Sequence, residues 1–334
     1  MRLVRAALAL GLMGLLSQPA RASDDDARAW LERMSEALAT RNYAGLFTHT
    51  TGRQSETMRI VHRVGRNGST ERLVSLDGSG REIVRTQSEV HVYLPDRGVV
   101  LVEPRTDAGS LSKALPAPGP EFDALYELRI GDVSKLLGRK VRILDIRPLD
   151  AQRYGYRLWL DEETAMPLRT VVADGRGRPI ELINFTQLDM PRRIDAKEIE
   201  PTVDAAGFRW VRSARPPPEP RPTVAAWRPT RLPPGFRLVA SRTQIVPGVA
   251  LPVQHLIFSD GFASISVFIE PGSPTGPAPP QASTVGSANA FTTFVAGHVV
   301  TAVGEVPLET VRDVATSVVP GGAGQTPAVP VAPR

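Results

Sequence analysis

The chain of 334 residues contains no cysteine. Disulfide staples, thiolate metal sites and cysteine nucleophiles are thereby excluded, and stability has to come from hydrophobic cores. Histidine is scarce: His49, His62, His91, His255 and His298 lie in strands or beside turns, with no His-x-His or His-x-x-x-His spacing to hold a metal. There is no Gly-x-Ser-x-Gly elbow, and the glycine-rich turns lack the strand–loop–helix context of a phosphate loop. Asp161-Glu162-Glu163 stand together in a turn, where adjacent acids are ordinarily just solvated. The residues therefore offer no constellation for an enzyme, no cofactor site and no metal site. A long apolar run is also missing. Ala6–Leu16 is too short to span a bilayer, and no later stretch is long and apolar enough for a transmembrane helix.

Arg2 and Arg5, the apolar segment after them and Ala20-Arg21-Ala22 have the order of a secretory signal peptide over residues 1–22, with cleavage before Ser23. Its removal takes three arginines and lowers the formal charge from +5 to +2. The remaining basic residues are interspersed with acids, which argues against nucleic acid as a partner. An exported, soluble protein of two domains is expected.

Most of the chain alternates with period two, the pattern of half-buried strands. Ser23 and three aspartates open one exception, a helix with Trp30, Met34, Ala37 and Leu38 on its apolar stripe, ending near Arg41-Asn42. Strands are then expected at 46–50, 56–64, 71–76, 82–86, 90–94 and 99–102, joined by tight turns. Prolines 116, 118 and 120 break residues 105–125 into short helical pieces of a mobile insertion. Strands resume at 126–130 and 140–148. The most regular part follows: Tyr154–Asp161, Met166–Val172 and Ile180–Leu188, separated by Glu162–Ala165 and by Asp174-Gly175-Arg176-Gly177, read as an antiparallel meander. Residues 194–201 are expected to trail along the sheet edge.

Six prolines between 213 and 230 favour an extended semi-rigid linker. After it, strands are expected at 237–246, 253–259, 263–270 and twice within 290–303, with a helix from Pro307 that carries Leu308, Val311, Val314, Ala315 and Val318. Residues 320–334 are low in complexity and expected to be disordered. The fold class is mostly β (α+β). A large half-open antiparallel sheet spans 23–212, the linker 213–230, and a smaller α+β domain 231–319. The curved sheet offers a concave surface lined by Leu46, Met58, Ile60, Val92, Leu125, Tyr126 and Leu158. Read from the residues alone, the same side chains fit a dry core better.

Arg153-Tyr154-Gly155-Tyr156-Arg157-Leu158-Trp159-Leu160-Asp161 followed by Met166-Pro167-Leu168 resembles the hairpin of the RseB/MucB family. Trp227-Arg228-Pro229, Leu232–Phe236, Phe258–Glu270 and Val303–Pro307 resemble that family too, in the same order and around the same linker. The loop 271–280 and the tail after Pro320 match poorly. The resemblance implies a periplasmic regulator of the extracytoplasmic-stress sigma factor. Such a regulator binds the periplasmic region of a transmembrane anti-sigma factor (RseA or MucA), shields it from site-1 protease, and is released by lipid or lipopolysaccharide. It also implies a first domain similar to the lipoprotein carriers LolA and LolB, so the alternative is a periplasmic carrier of lipid or lipoprotein acyl chains. The second domain is expected to grip the partner through Phe262, Phe268 and Glu305. The ligand and the oligomeric state stay open, a homo-oligomer included.

Overall fold

The computed structural model describes residues 24–66, 68–105, 121–212, 227–244, 252–272 and 279–321. The segment expected to be a signal peptide, most of the 105–125 insertion, most of the expected linker (213–226), most of the 271–280 loop and the tail beyond 321 lie outside the described residues.

The first domain opens with helix α1 (Asp24–Thr40). Strands β1 (Tyr43–Thr51), β2 (Gln54–Gly65), β3 (Gly68–Ser75), β4 (Glu82–Arg85), β5 (Glu89–Leu94) and β6 (Val99–Pro104) follow. A short helix, α2 (Phe122–Leu125), leads into β7 (Tyr126–Leu136), β8 (Arg139–Pro148), β9 (Gly155–Asp161), β10 (Pro167–Ala173), β11 (Pro179–Asp189) and β12 (Arg209–Arg212). They form one 12-stranded sheet in the order β12-β6-β5-β4-β3-β2-β1-β11-β10-β9-β8-β7, with an edge at each end, so the sheet is open. All neighbours are antiparallel except β12, which runs parallel to β6.

Alternation along the strands puts Tyr43, Phe47, Ile60, Leu144, Tyr156, Leu158, Leu160 and Phe185 on the inner face. They close a core with Leu31, Met34 and Leu38 of α1 and with Phe122 and Leu125 of α2. The helices cover β1, β2 and β7–β11. Over β3–β6 the arrangement is reversed. There, and on the adjoining β2, the outer face is covered, by the segment after β11. Ile194 and Ile199 pack on Val61, while Val203, Ala205 and Phe208 pack on Val84, Tyr93, Val100 and Val102. This segment lies across the face rather than along the edge, because it carries its own apolar side chains. The edge position belongs to β12.

The second domain is a 6-stranded antiparallel sheet in the order β14-β15-β16-β19-β18-β17. Its strands are β14 (Arg237–Gln244), β15 (Val253–Ser259), β16 (Ser264–Pro271), β17 (Gln281–Val285), β18 (Ala288–Val295) and β19 (His298–Gly304). Helix α3 (Leu308–Thr316) covers one face, with Val311, Val314 and Ala315 against Leu256, Ile265, Val267, Phe291 and Val300. A two-stranded pair, β13 (Trp227–Pro229) and β20 (Val318–Pro320), ties the start of the domain to its end.

Candidate functional site

The junction between the domains is held by buried polar and aromatic contacts. Arg153, just before β9, is fully buried. Its Nη1 donates to Asp260 Oδ2 at 2.5 Å, its Nη2 to the Pro234 carbonyl at 2.7 Å and its Nε to Asp150 Oδ1 at 3.2 Å. Its guanidinium lies 5.4 Å from the ring centres of both Tyr126 and Phe236. A buried guanidinium is tolerated only when its donors are met, and here two acceptors come from the second domain. Asp260 is equally buried and also accepts from the Tyr126 hydroxyl at 3.0 Å. Burial, with Asp260 next, pushes the Tyr126 phenol up. The other oxygen, Asp260 Oδ1, accepts from the backbone N–H groups of Phe262 and Ala263 at 2.8 and 2.7 Å, fixing the 259–263 turn.

That turn delivers Phe262 into the core of the first domain. Its ring lies 5.6 Å from Phe122, 5.3 Å from Tyr126 and 4.9 Å from Tyr156, in edge and tilted geometries that favour aromatic contact. Gly235 passes so close to α2 that a Cβ there would lie 2.4 Å from Leu125 Cδ1, and its φ of +79° is one that L side chains rarely adopt.

A second set of contacts lies at the open ends of β1 and β11. His49 Nε2 and Glu181 Oε1 are 2.8 Å apart. Glu181 Oε2 accepts from the Ser287 N–H at 3.3 Å, in the two-residue turn between β17 and β18. The hydrogen bond to Glu181 raises the pKa of His49 against the opposing effect of burial. Burial works against the charge on Glu181, but hydrogen bonds from His49 and Ser287 outweigh it and hold the carboxyl below its ordinary value. Asn289 donates to the Tyr154 hydroxyl at 2.8 Å and to the Val306 carbonyl at 2.7 Å, and Thr310 donates to the Gln152 carbonyl at 3.0 Å.

Of the residues expected to line a cavity, Met58, Ile60, Leu125, Tyr126 and Leu158 are brought together, but as packed members of the helix-covered core. Leu46 is half-buried on the other face of β1, because Tyr43, Gly45 and Phe47 take the inward parity. Val92 lies on the inner face, in a row that crosses the sheet by direct pairing: Ile60, Leu73, Ile83, Val92 and Leu101. Ile60 is in the core and Leu73 packs on it. Ile83, Val92 and Leu101 are half-buried and belong to no core cluster among the described residues. Two shallow concavities, about 330 and 400 Å³, flank α1 and are lined by none of the seven expected residues.

Phe262 is inside the junction, which removes it from any surface a partner could reach. Phe268 is half-buried on the face of the second sheet away from α3, stacked on His255 at 4.2 Å. Burial, then Arg242, pushes His255 down to about 4. Glu305 is exposed beside the junction, where the walls desolvate its carboxyl and Glu181 opposes its charge, so its pKa is raised. No group of three or more His, Asp and Glu residues could hold a metal ion among the described residues. Sequence reasoning missed Arg153, Asp260, Glu181 and the Gly286-Ser287 turn. The one available signal was that Arg153 and Asp260 both fall inside the stretches used for the family resemblance.

These features define a class: a two-domain β protein whose second domain is locked onto the inner face of a large open sheet. Comparison with known proteins is more specific. The MucB/RseB N-terminal domain matches residues 26–203 and the MucB/RseB C-terminal domain residues 221–319. The chain belongs to the MucB/RseB family. It is 34% identical over 332 residues to the sigma factor AlgU regulatory protein MucB of Pseudomonas aeruginosa, covering 96% of this chain and 100% of the relative. It is 24% identical over 305 residues to the sigma-E factor regulatory protein RseB of Escherichia coli K12, covering 88% and 91%. Among solved structures, the P. aeruginosa MucA/MucB complex superposes with a TM-score of 0.69 at 31% identity, covering 89% of this chain and 100% of that one. A crystal structure of MucB superposes at 0.61, with 30% identity and 90% and 99% coverage. These relatives are named as regulatory proteins, and no helix among the described residues is long and apolar enough to cross a membrane.

Proposed function

We propose that this chain is a periplasmic, non-enzymatic regulator that binds the periplasmic region of a transmembrane anti-sigma factor of the MucA/RseA kind. In this reading it shields that region from site-1 protease and lets go when envelope lipid or lipopolysaccharide reaches it. The observation that carries the reading is that a relative matched across both domains has been solved bound to MucA. Residues 23–212 act as one unit and a second unit begins with β13 at Trp227, rather than at 231, and runs through β20.

The lipid-responsive part of the reading is supported by the row Ile83, Val92 and Leu101. It continues the inner-face core as half-covered apolar surface. An acyl chain laid there gains about 0.8 kcal/mol for each buried CH₂. The same row is what an acyl-chain carrier would use. The locked junction favours the regulator, since it makes the second domain part of the first domain's packing.

The test is calorimetric titration of mature protein with the purified periplasmic fragment of the anti-sigma factor from the same organism. Binding with a Kd of about 10 μM or tighter is expected, weakened when lipopolysaccharide or short-chain lipid is added. Absence of binding by folded protein at several times that concentration rejects the regulator reading. Binding of a fluorescent acyl probe that is insensitive to Val92→Asp rejects the apolar row as the lipid surface.

A further inference from the structure

Among the described residues the two large sheets have four edge strands, β7, β12, β14 and β17, and three of them are defended. Strand β7 has a register break between Ile130 and Val133 and carries Glu127, Arg129, Asp132 and Lys135. Strand β12 is four residues long and bounded by Arg209 and Arg212. Strand β14 has a break between Leu238 and Ala240 and carries Arg237 and Arg242. Charges, bulges and brevity are the usual means of keeping an edge from pairing with another strand. Strand β17 has none of them. It reads Gln281-Ala282-Ser283-Thr284-Val285, without charge or proline, in unbroken register with β18, and all five residues are exposed.

The hairpin geometry says which groups are free. Gly286 and Ser287 form the turn, with Gly286 at φ +66°, and Val285 pairs with Ala288. The closing pair of a two-residue turn is hydrogen-bonded, and pairing alternates along an antiparallel ladder. Val285, Ser283 and Gln281 therefore face β18, while the N–H and C=O groups of Ala282 and Thr284 point outward. At the turn end of the strand the hairpin meets the first domain: a Cβ on Gly286 would lie 3.1 Å from Thr51 Cγ2, and Ser287 donates to Glu181. Glu305 stands at the same end, following Gly304, which pairs with Asn289, itself paired with Thr284. Glu305 is exposed and makes no hydrogen bond or ion pair among the described residues.

We propose that the open edge of β17 takes up an extended segment of the anti-sigma partner as a seventh strand of the 6-stranded sheet, with a basic side chain of that segment against Glu305. This rests on the regulator reading and deepens it by naming the surface and the chemistry. An uncharged edge supplies backbone hydrogen bonds without selecting side chains, and the carboxylate of Glu305, which has no basic partner among the described residues and stands near Glu181, supplies the selection. The bound segment ends beside the His49–Glu181–Ser287 contact, so it touches the place where the two domains meet.

The experiment uses the full mature chain and the purified periplasmic fragment of the anti-sigma factor. Amide hydrogen exchange with and without the fragment should show new protection within 281–285, at Ala282 and Thr284. Ala282→Pro removes one outward N–H at an exposed position. It should weaken binding roughly tenfold, the loss expected for one or two backbone hydrogen bonds, with the melting temperature unchanged. Glu305→Gln should weaken binding several-fold and flatten its salt dependence. If the parent chain binds while 281–285 gains no protection, the edge is not the site although the regulator reading stands. If the parent chain does not bind, both fall. If Ala282→Pro misfolds, the exchange result on the parent decides alone. If Ala282→Pro changes only self-association in light scattering, the edge serves a second copy of this chain and the assignment is overturned.

Discussion

The two faces of the large sheet are each pinned by a buried arginine–carboxylate pair, and the pairs differ in where their partners come from. On the outer face Arg72 Nε donates to Glu82 Oε2 at 2.9 Å, and the two residues sit on adjacent strands. The overlying segment adds to a pair that exists without it: the Glu198 carbonyl accepts from Arg72 Nη1 at 3.3 Å, and Thr202 bonds to both side chains. On the inner face Arg153 pairs across 107 residues with Asp260 of the other domain. A pair completed within one sheet tolerates loss of its cover. A pair completed by another domain makes that domain obligatory, because an unmatched buried charge costs more than the pair contributes.

The largest effect should therefore come from Asp260→Ala. Arg153 would keep only Asp150 and the Pro234 carbonyl, and a loss of about 3–5 kcal/mol in urea unfolding of the mature protein is expected. A loss under about 1 kcal/mol would mean that water reaches the guanidinium and that the two anchors are alike. Next in size is a contrast within the inner face. Leu158→Ala, fully buried under α1, should cost about 2–5 kcal/mol. Val92→Ala, on the half-covered row, should cost about 1 kcal/mol. Equal losses would show that the row is as closely packed as the core. Glu82→Gln keeps the shape of the outer pair but weakens it, and about 1–3 kcal/mol is expected.

The smallest effect is on pH dependence at the turn contact. The folded-state pKa of His49 is raised, so its contribution is complete below its unfolded value near about 6.5 and fades as pH rises through the folded value. Glu181 is depressed, so its contribution is present above about 4.3 and fades as pH falls through its folded value. Glu305 is raised by desolvation, so its ionisation with rising pH opposes the docked arrangement. Melting temperature against pH should show His49→Gln below the parent at mildly acid pH, the gap closing toward alkaline pH. A gap that does not vary with pH would remove His49 as the titrating group.

Much of the architecture was legible, because period-two alternation and Asp-Gly or polar turns act locally. The meander read as 154–161, 166–172 and 180–188 forms at 155–161, 167–173 and 179–189. Helix α1 and helix α3 follow from their stripes and from the acids or proline at their starts. Strands β12, β13, β17 and β20 escaped notice: three have only three or four residues, and β17 is polar and wholly exposed, so none carries alternation. The candidate site was legible in composition but not in placement. Leu158 and Ile60 declare that they are inward, but not whether a helix or a void lies above them. Phe262 gave no sign that its turn enters the other domain, since that depends on a contact made more than a hundred residues away in sequence. Arg153 and Asp260 look like any solvated charges until the fold brings them together.

Arg153 also gives the protein a check on its own completeness. A product cut within 213–226 would carry the whole first domain yet leave this guanidinium without Asp260 and the Pro234 carbonyl, and Phe122, Tyr126 and Tyr156 without the ring of Phe262. Such a fragment would show uncovered aromatic surface and a charge with too few acceptors, the kind of loosened structure that proteases remove. Only a chain that carries both domains meets those donors and covers those rings.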